Sequence, residues 1–124
     1  MLRLLMMVSG GFEAVFGASA ILVTPMVIGA LGTETNASTI FLARVLGAAT
    51  LALGIAALLS RDQLETKGGL AAAYGLTLYN LLAAGLILWT AAAAGLGGAA
   101  LWGAGLFHAL MGVLFVYALA TATE

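Results

Sequence analysis

The sequence predicts an all-α fold: an integral membrane bundle of four antiparallel helices, with both chain termini in the cytoplasm. Hydrophobic residues make up 64% of the 124 residues and charged residues only 7%, whereas a soluble domain carries about 25% charged residues. No charged residue occurs between Gly68 and Thr123, a length that allows two spans of about 20 residues each. Short polar stretches separate four apolar runs, so we expect residues 1–124 to form a single transmembrane domain.

The first span is expected at residues 4–23. Pro25 lies near its outer end, where a proline ends or kinks a helix. The N-terminus, in which Arg3 is followed by apolar residues, has the pattern of a signal peptide. The apolar run continues past Glu13 to Pro25 with no polar segment after it, which favours a first helix that is retained.

The other three spans are expected at residues 39–60, 70–94 and 99–120. The turn before the second span contains Asn36 and Ser38, and either residue is a suitable N-cap for the helix that follows. Residues 61–69 form the longest polar loop, and the glycine-rich residues 95–98 turn the chain between the last two spans.

Basic residues predict the orientation, because lysine and arginine are enriched on the cytoplasmic side of a membrane. Arg3, Arg61 and Lys67 fall on one side of the predicted bundle, and Glu34 falls on the other. Interfacial aromatic residues agree with this orientation, with Trp89 and Trp102 near the outer interface and Tyr74 and Tyr117 near the inner one. We therefore expect a multi-pass protein of the inner (plasma) membrane with both termini inside.

Each predicted span carries one polar side chain that is costly in hydrocarbon: Glu13, Arg44, Asn80 and His108. A rise of about 1.5 Å per residue places Glu13, Asn80 and His108 about 14–15 Å from the ends of their helices, near the midplane. Arg44 lies about 8 Å from the outer face, so its long side chain can reach inward or to the surface. We expect these side chains to form a midplane polar cluster.

Three interpretations of this cluster are open. A paired Glu13 and Arg44, together with Asn80 and His108, would fix the register of the helices as a satisfied network, because an unpaired charge in lipid is costly. Alternatively, the cluster is a site for a ligand or a proton, since ionisable residues within a membrane are functional candidates. In a third interpretation, the Arg44 side chain reaches outward to the surface and there is no cluster.

Small residues at helical spacing predict close packing of the helices. Gly47 and Gly54 are seven residues apart, as are Gly105 and Gly112, so each pair lies on one helix face. The threonines within the spans (Thr24, Thr50 and Thr77) are expected to hydrogen-bond the backbone of their own helices.

Two helices resemble segments of known families. The segment from Gly10 to Gly17, with Glu13 inside it, resembles the first helix of small multidrug resistance transporters; the second span carries Arg44 and lacks that family's aromatic-rich face. The segment Phe41–Gly54, an arginine followed by spaced glycines, resembles DoxX-like and related four-helix membrane proteins. The DoxX-like resemblance implies a bacterial inner-membrane protein that is an accessory to a larger system, and it implies no catalytic residue.

The residue content excludes several kinds of site. The chain has no cysteine, and its net charge of −1 gives no basic patch, so we expect no disulfide and no nucleic-acid partner. With one histidine, a haem held by two histidines is excluded, and a metal site is not expected. Ala104 precedes His108 by four residues, as in helices that bind chlorophyll, which leaves a pigment at His108 as the only cofactor considered.

The predicted function is that of a small, non-enzymatic accessory or interaction subunit of a larger membrane system. Its expected partners are the lipid bilayer and another membrane protein or a second copy of the chain. The alternative is a proton-linked carrier, or a protein that binds a lipophilic ligand such as a quinone, a lipid or a pigment at the polar cluster. An enzyme acting on a lipid or quinone is a third hypothesis, for which no nucleophile or metal-binding motif is present.

Overall fold

The computed structural model describes residues 1–93, 95 and 98–122, and its regular structure there is entirely helical. The helices are α1 (Leu2–Leu22), α2 (Thr24–Ala30), α3 (Ala37–Ser60), α4 (Lys67–Ala93) and α5 (Ala99–Thr121). By length and composition, α1, α3, α4 and α5 are long and apolar enough to cross a membrane. The prediction of an all-helical chain with four such helices is confirmed.

Side-chain caps explain where two of the helices begin. The Asn36 side chain accepts a hydrogen bond from the Thr39 backbone, and the Thr39 hydroxyl accepts one from the Asn36 backbone, so Asn36 is the N-cap of α3. Helix α4 begins at Lys67, three residues earlier than predicted. Its first turn is stabilised by Thr66, whose hydroxyl accepts a hydrogen bond from the Gly69 backbone. The predicted end of the third span at residue 94 and the turn residues 96 and 97 lie outside the described residues.

Pro25 separates α1 from the short helix α2. Proline has no N–H to bond the carbonyl four residues earlier, which is that of Ile21. The Thr24 hydroxyl lies 2.7 Å from the Ala20 carbonyl oxygen and 3.2 Å from the Ile21 carbonyl oxygen, so it compensates for this loss. The chain bends at Val23, which has a non-helical backbone, and residues 24–30 resume as α2.

Glycines bring α1 and α3 into backbone contact. A Cβ atom built on Gly17 would lie 2.5 Å from the Gly47 carbonyl oxygen, and one on Gly54 would lie 2.5 Å from the Gly10 carbonyl oxygen. One contact joins the later part of α1 to the earlier part of α3, and the other joins the earlier part of α1 to the later part of α3. On α5, the spaces beside Gly105 and Gly112 are filled by leucine side chains of α4. The predicted packing role of both glycine pairs is therefore confirmed.

The apolar core occupies the half of the molecule that contains the start of α1 and the end of α5, which we call the terminal half. It contains residues from the start of α1 and α4 and from the end of α3 and α5. Met6, Leu76 and Phe115 are completely buried there. At the end of this half, Arg3 Nε lies 2.6 Å from Asp62 Oδ1 and joins α1 to the loop after α3. The candidate site lies between this half and the opposite one.

Candidate functional site

Glu13, Asn80 and His108 come together in the interior of the bundle. They belong to α1, α4 and α5, and their exposed fractions are 0%, 0% and 4%. His108 Nδ1 lies 3.0 Å from Asn80 Oδ1 and 3.6 Å from Glu13 Oε1. Three of the four polar residues predicted to cluster are therefore adjacent.

Asn80 connects the three helices. Its side-chain nitrogen donates to the Ser9 hydroxyl on α1 at 2.9 Å and to the Leu76 carbonyl oxygen of its own helix at 2.8 Å. Its side-chain oxygen faces His108 on α5. All the hydrogen-bonding atoms of Asn80 are thus engaged, which fixes the orientation of its amide group.

The carboxyl group of Glu13 is the exception in this network. Both of its oxygens are buried without a hydrogen bond of ordinary geometry among the described residues. The Tyr79 hydroxyl lies beside the carboxyl group, and His108 Nδ1 is at 3.6 Å. Buried polar groups in folded proteins are nearly always hydrogen-bonded, so this carboxyl group requires an explanation.

Aromatic rings surround the imidazole of His108. The ring centroids of Phe12, Tyr79 and Phe107 lie 5.8, 5.6 and 5.7 Å from that of His108, each in an edge-on arrangement. Edge-on contacts between rings are favourable. They hold the imidazole in one orientation beside Asn80.

Arg44 is outside the cluster, and the expected ion pair between Glu13 and Arg44 is not formed. Its side chain is exposed, and Arg44 Nε donates to the Thr24 hydroxyl at 3.3 Å. The break at Pro25 places this hydroxyl within reach of α3, and it offers Arg44 a polar partner near the end of the bundle. Of the two directions open to Arg44, the side chain takes the outward one.

A cavity of about 140 Å³ adjoins the cluster in the half of the molecule away from the termini. Its lining residues are Phe12, Phe16, Leu31, Leu46, Tyr79, Ile87, Leu101, Ala104 and His108. Seven of these nine residues are apolar, and the polar groups come from Tyr79 and His108. A mostly apolar cavity with a few convergent polar groups is the usual form of a small-molecule site.

An apolar groove of about 220 Å³ continues the cavity toward the surface between α2 and α5. It shares Phe12, Phe16, Leu31 and Ala104 with the cavity. Val27, Ala30 and Ala100 line its remaining part. The cavity and the groove therefore adjoin each other.

Several residues of this site were not predicted from the sequence. Ser9 is not one of the predicted cluster residues, yet its hydroxyl accepts a hydrogen bond from Asn80. Tyr79 and Phe107 each directly precede a predicted site residue, and Phe12 directly precedes Glu13. On three of the four long helices, an aromatic residue directly precedes the polar residue. This pattern could have predicted the aromatic rings that surround His108.

The described residues contain no group of three histidine, cysteine, aspartate or glutamate side chains that could hold a metal ion. Comparisons with protein-family models, curated proteins and solved structures found no match. The resemblance of the second helix to DoxX-like proteins therefore stays a prediction.

Proposed function

We propose that this protein binds a lipophilic small molecule within the membrane, with the polar head of the ligand against His108 and Tyr79. The observation that carries the proposal is the apolar cavity whose wall includes His108, directly beside the buried Glu13 carboxyl group. A polar cluster that only fixed the register of the helices would need no cavity beside it. The Glu13 carboxyl oxygens lack a hydrogen bond of ordinary geometry among the described residues, which is consistent with a polar group kept for a function rather than for packing.

The size of the cavity supports a single-ring head group. An apolar protein cavity of about 150 Å³ holds one benzene molecule, and this cavity measures about 140 Å³. The groove between α2 and α5 would accommodate an alkyl tail. A macrocyclic pigment is much larger than one ring, so the geometry favours a smaller ligand over pigment ligation at His108.

Two other functions remain proposals. A proton-linked carrier is supported by the short distance between Glu13 and His108, but the completely buried Met6, Leu76 and Phe115 fill the terminal half that a carried molecule would cross. An accessory subunit of a larger membrane system is supported by the apolar residues exposed on α3 and α5. Lipid contact alone would require the same apolar surface, so binding is the function that the geometry favours.

For the topology, we propose an antiparallel bundle in a bacterial inner membrane with both termini in the cytoplasm. Arg3, Arg61 and Lys67 all lie at the end of the molecule where Arg3 pairs with Asp62, and this supports a cytoplasmic location for that end. The pairing of Gly17 with Gly47 and of Gly10 with Gly54 supports opposite directions for α1 and α3. The resemblance of the segment Phe41–Gly54 to DoxX-like proteins supports a bacterial source.

Filling the cavity tests the proposed function. In Ala104→Leu, the larger side chain would enter the space beside His108, whereas in Gly103→Leu the same side chain would project from a position with no atom within 4 Å of an added Cβ. We expect a lipophilic molecule near one per chain in solvent extracts of the purified wild type and of Gly103→Leu, and a loss of at least about tenfold in Ala104→Leu. Quantitative mass spectrometry measures the ratio.

Equal amounts in the two variants would contradict binding in this cavity. A matched profile of bulk phospholipid in all three preparations, with nothing enriched in the wild type, would contradict the proposed function as a whole. Size-exclusion chromatography of each variant controls for loss of folding.

A further inference from the structure

Asn80 determines which nitrogen of His108 carries a proton. The Asn80 atom at 2.8 Å from the Leu76 carbonyl oxygen must be the amide nitrogen, because a carbonyl oxygen only accepts hydrogen bonds. The other amide atom is then the oxygen, and it lies 3.0 Å from His108 Nδ1. Because this oxygen also only accepts, Nδ1 must carry the hydrogen and donate it.

The position of Glu13 favours the same assignment. Glu13 Oε1 lies 3.6 Å from His108 Nδ1 and is also an acceptor when ionised. Two oxygens thus face the same ring nitrogen. A neutral imidazole has one N–H, so its Nε2 is left with a lone pair that can accept a hydrogen bond.

The lining residues indicate which side of the imidazole adjoins the cavity. His108 lines the cavity, whereas Glu13 and Asn80, which face Nδ1, are not among the lining residues. We infer that the side of the ring away from Nδ1, which carries Nε2, adjoins the cavity. Within the part of the chain that the structure describes, Nε2 forms no hydrogen bond, and it is not among the fully enclosed polar atoms.

We propose that the ligand of this cavity is a lipophile with a hydroxylated ring, such as an alkylphenol or an alkylhydroquinone, whose hydroxyl donates to His108 Nε2. The proposal rests on the proposed binding function and names the class of ligand. A quinone or ketone would place a carbonyl oxygen against the Nε2 lone pair, and two acceptors facing each other leave both unsatisfied. A site that is built to pair with a hydroxyl discriminates strongly against analogues that lack it.

The test compares two probes with the full-length protein in nanodiscs: 4-octylphenol and 1-fluoro-4-octylbenzene. Fluorine is close to hydroxyl in size but cannot donate a hydrogen bond. We expect the phenol to bind about tenfold more tightly or better in the wild type, and this preference to disappear in His108→Phe, which keeps a ring but removes the acceptor. Isothermal titration calorimetry measures both affinities.

A second measurement requires no variant and no ligand. The chain has a single histidine, so the ¹⁵N NMR signals of its imidazole report on His108 alone. We expect a protonated Nδ1 and an unprotonated Nε2.

The outcomes separate the two proposals. Equal affinity for both probes would overturn the hydroxylated ligand and leave the binding function standing. If neither probe binds, both proposals are overturned. A proton on Nε2, alone or together with one on Nδ1, would overturn the hydroxyl-donor inference even if His108→Phe fails to fold.

Discussion

Substituting Gly17 with alanine is expected to lower the thermal stability of the protein strongly. The added Cβ would lie 2.5 Å from the Gly47 carbonyl oxygen and 2.8 Å from Leu51 Cα. Both are backbone atoms, so no side chain can rotate away, and α1 and α3 must separate. Overpacking of a tightly packed interface costs about 1–3 kcal/mol, and we expect a value near the upper end. Thermal unfolding in mild detergent, followed by the fluorescence of Trp89 and Trp102, measures the change.

Gly11→Ala is the matched control on the same helix. No atom lies within 4 Å of a Cβ built on Gly11, and alanine favours a helix over glycine by about 1 kcal/mol. We expect this variant to unfold at the wild-type temperature or above. Equal destabilisation by the two substitutions would show that the close contact of α1 with α3 does not determine stability.

Asn80→Leu should destabilise the protein and also weaken ligand binding. Leucine removes the bonds to Ser9 on α1 and to His108 on α5. Hydrogen bonds between membrane helices contribute about 0.6–1.7 kcal/mol each, so the two together amount to about 1–3 kcal/mol. Without Asn80 Oδ1, His108 also loses the nearer of the two acceptors that hold its proton on Nδ1, and we expect at least about tenfold weaker binding of 4-octylphenol.

Thr77→Val, one turn earlier on α4, is the control for this substitution. Its hydroxyl is buried but donates at 2.7 Å to the Ala73 carbonyl oxygen of its own helix, so its loss disconnects no other helix. We expect small changes in both measurements for Thr77→Val. If Asn80→Leu lowers the unfolding temperature and binds the probe with unchanged affinity, the Asn80 network only fixes helix register.

The sequence sufficed to predict the four long helices and the similar positions of Glu13, Asn80 and His108 along them. Both depend on local properties, namely runs of apolar residues and a constant rise per residue along a helix. The meeting of Glu13, Asn80 and His108 follows from equal depth. The N-cap at Asn36 and the self-bonded hydroxyls of Thr24, Thr50 and Thr77 are also local, and the structure confirms them.

Whether the Arg44 side chain points into the bundle or to the surface could not be predicted from such local properties. Depth alone places Arg44 within reach of the bundle interior, but the face on which it lies depends on how α3 packs against α1. A helix that is apolar on all sides has no polar stripe to indicate that face. The break at Pro25 could be predicted, but the approach of the Thr24 hydroxyl to Arg44 Nε depends on how α1 packs against α3, which no residue spacing encodes.

The cavity was equally inaccessible to sequence reasoning. Phe12, Phe16, Leu101 and Ala104 look like ordinary lipid-facing or packing residues of apolar helices. The completely buried side chains Met6, Leu76 and Phe115 lie in the terminal half, whereas the cavity lies among residues of the opposite half. Where a space remains between helices is a property of the assembled bundle and not of any one helix.

Photolabelling would locate the ligand directly and test the claim that the cavity beside His108 is a binding site. The probe is a 4-alkylphenol with a diazirine on its alkyl chain, and the labelled residues are identified by mass spectrometry of peptides. The account predicts labelling concentrated at the cavity and groove, on residues such as Phe16, Val27 and Ala104, which excess 4-octylphenol suppresses and which Ala104→Leu abolishes. Labelling spread over the lipid-facing residues of all four long helices, and insensitive to the competitor, would contradict it.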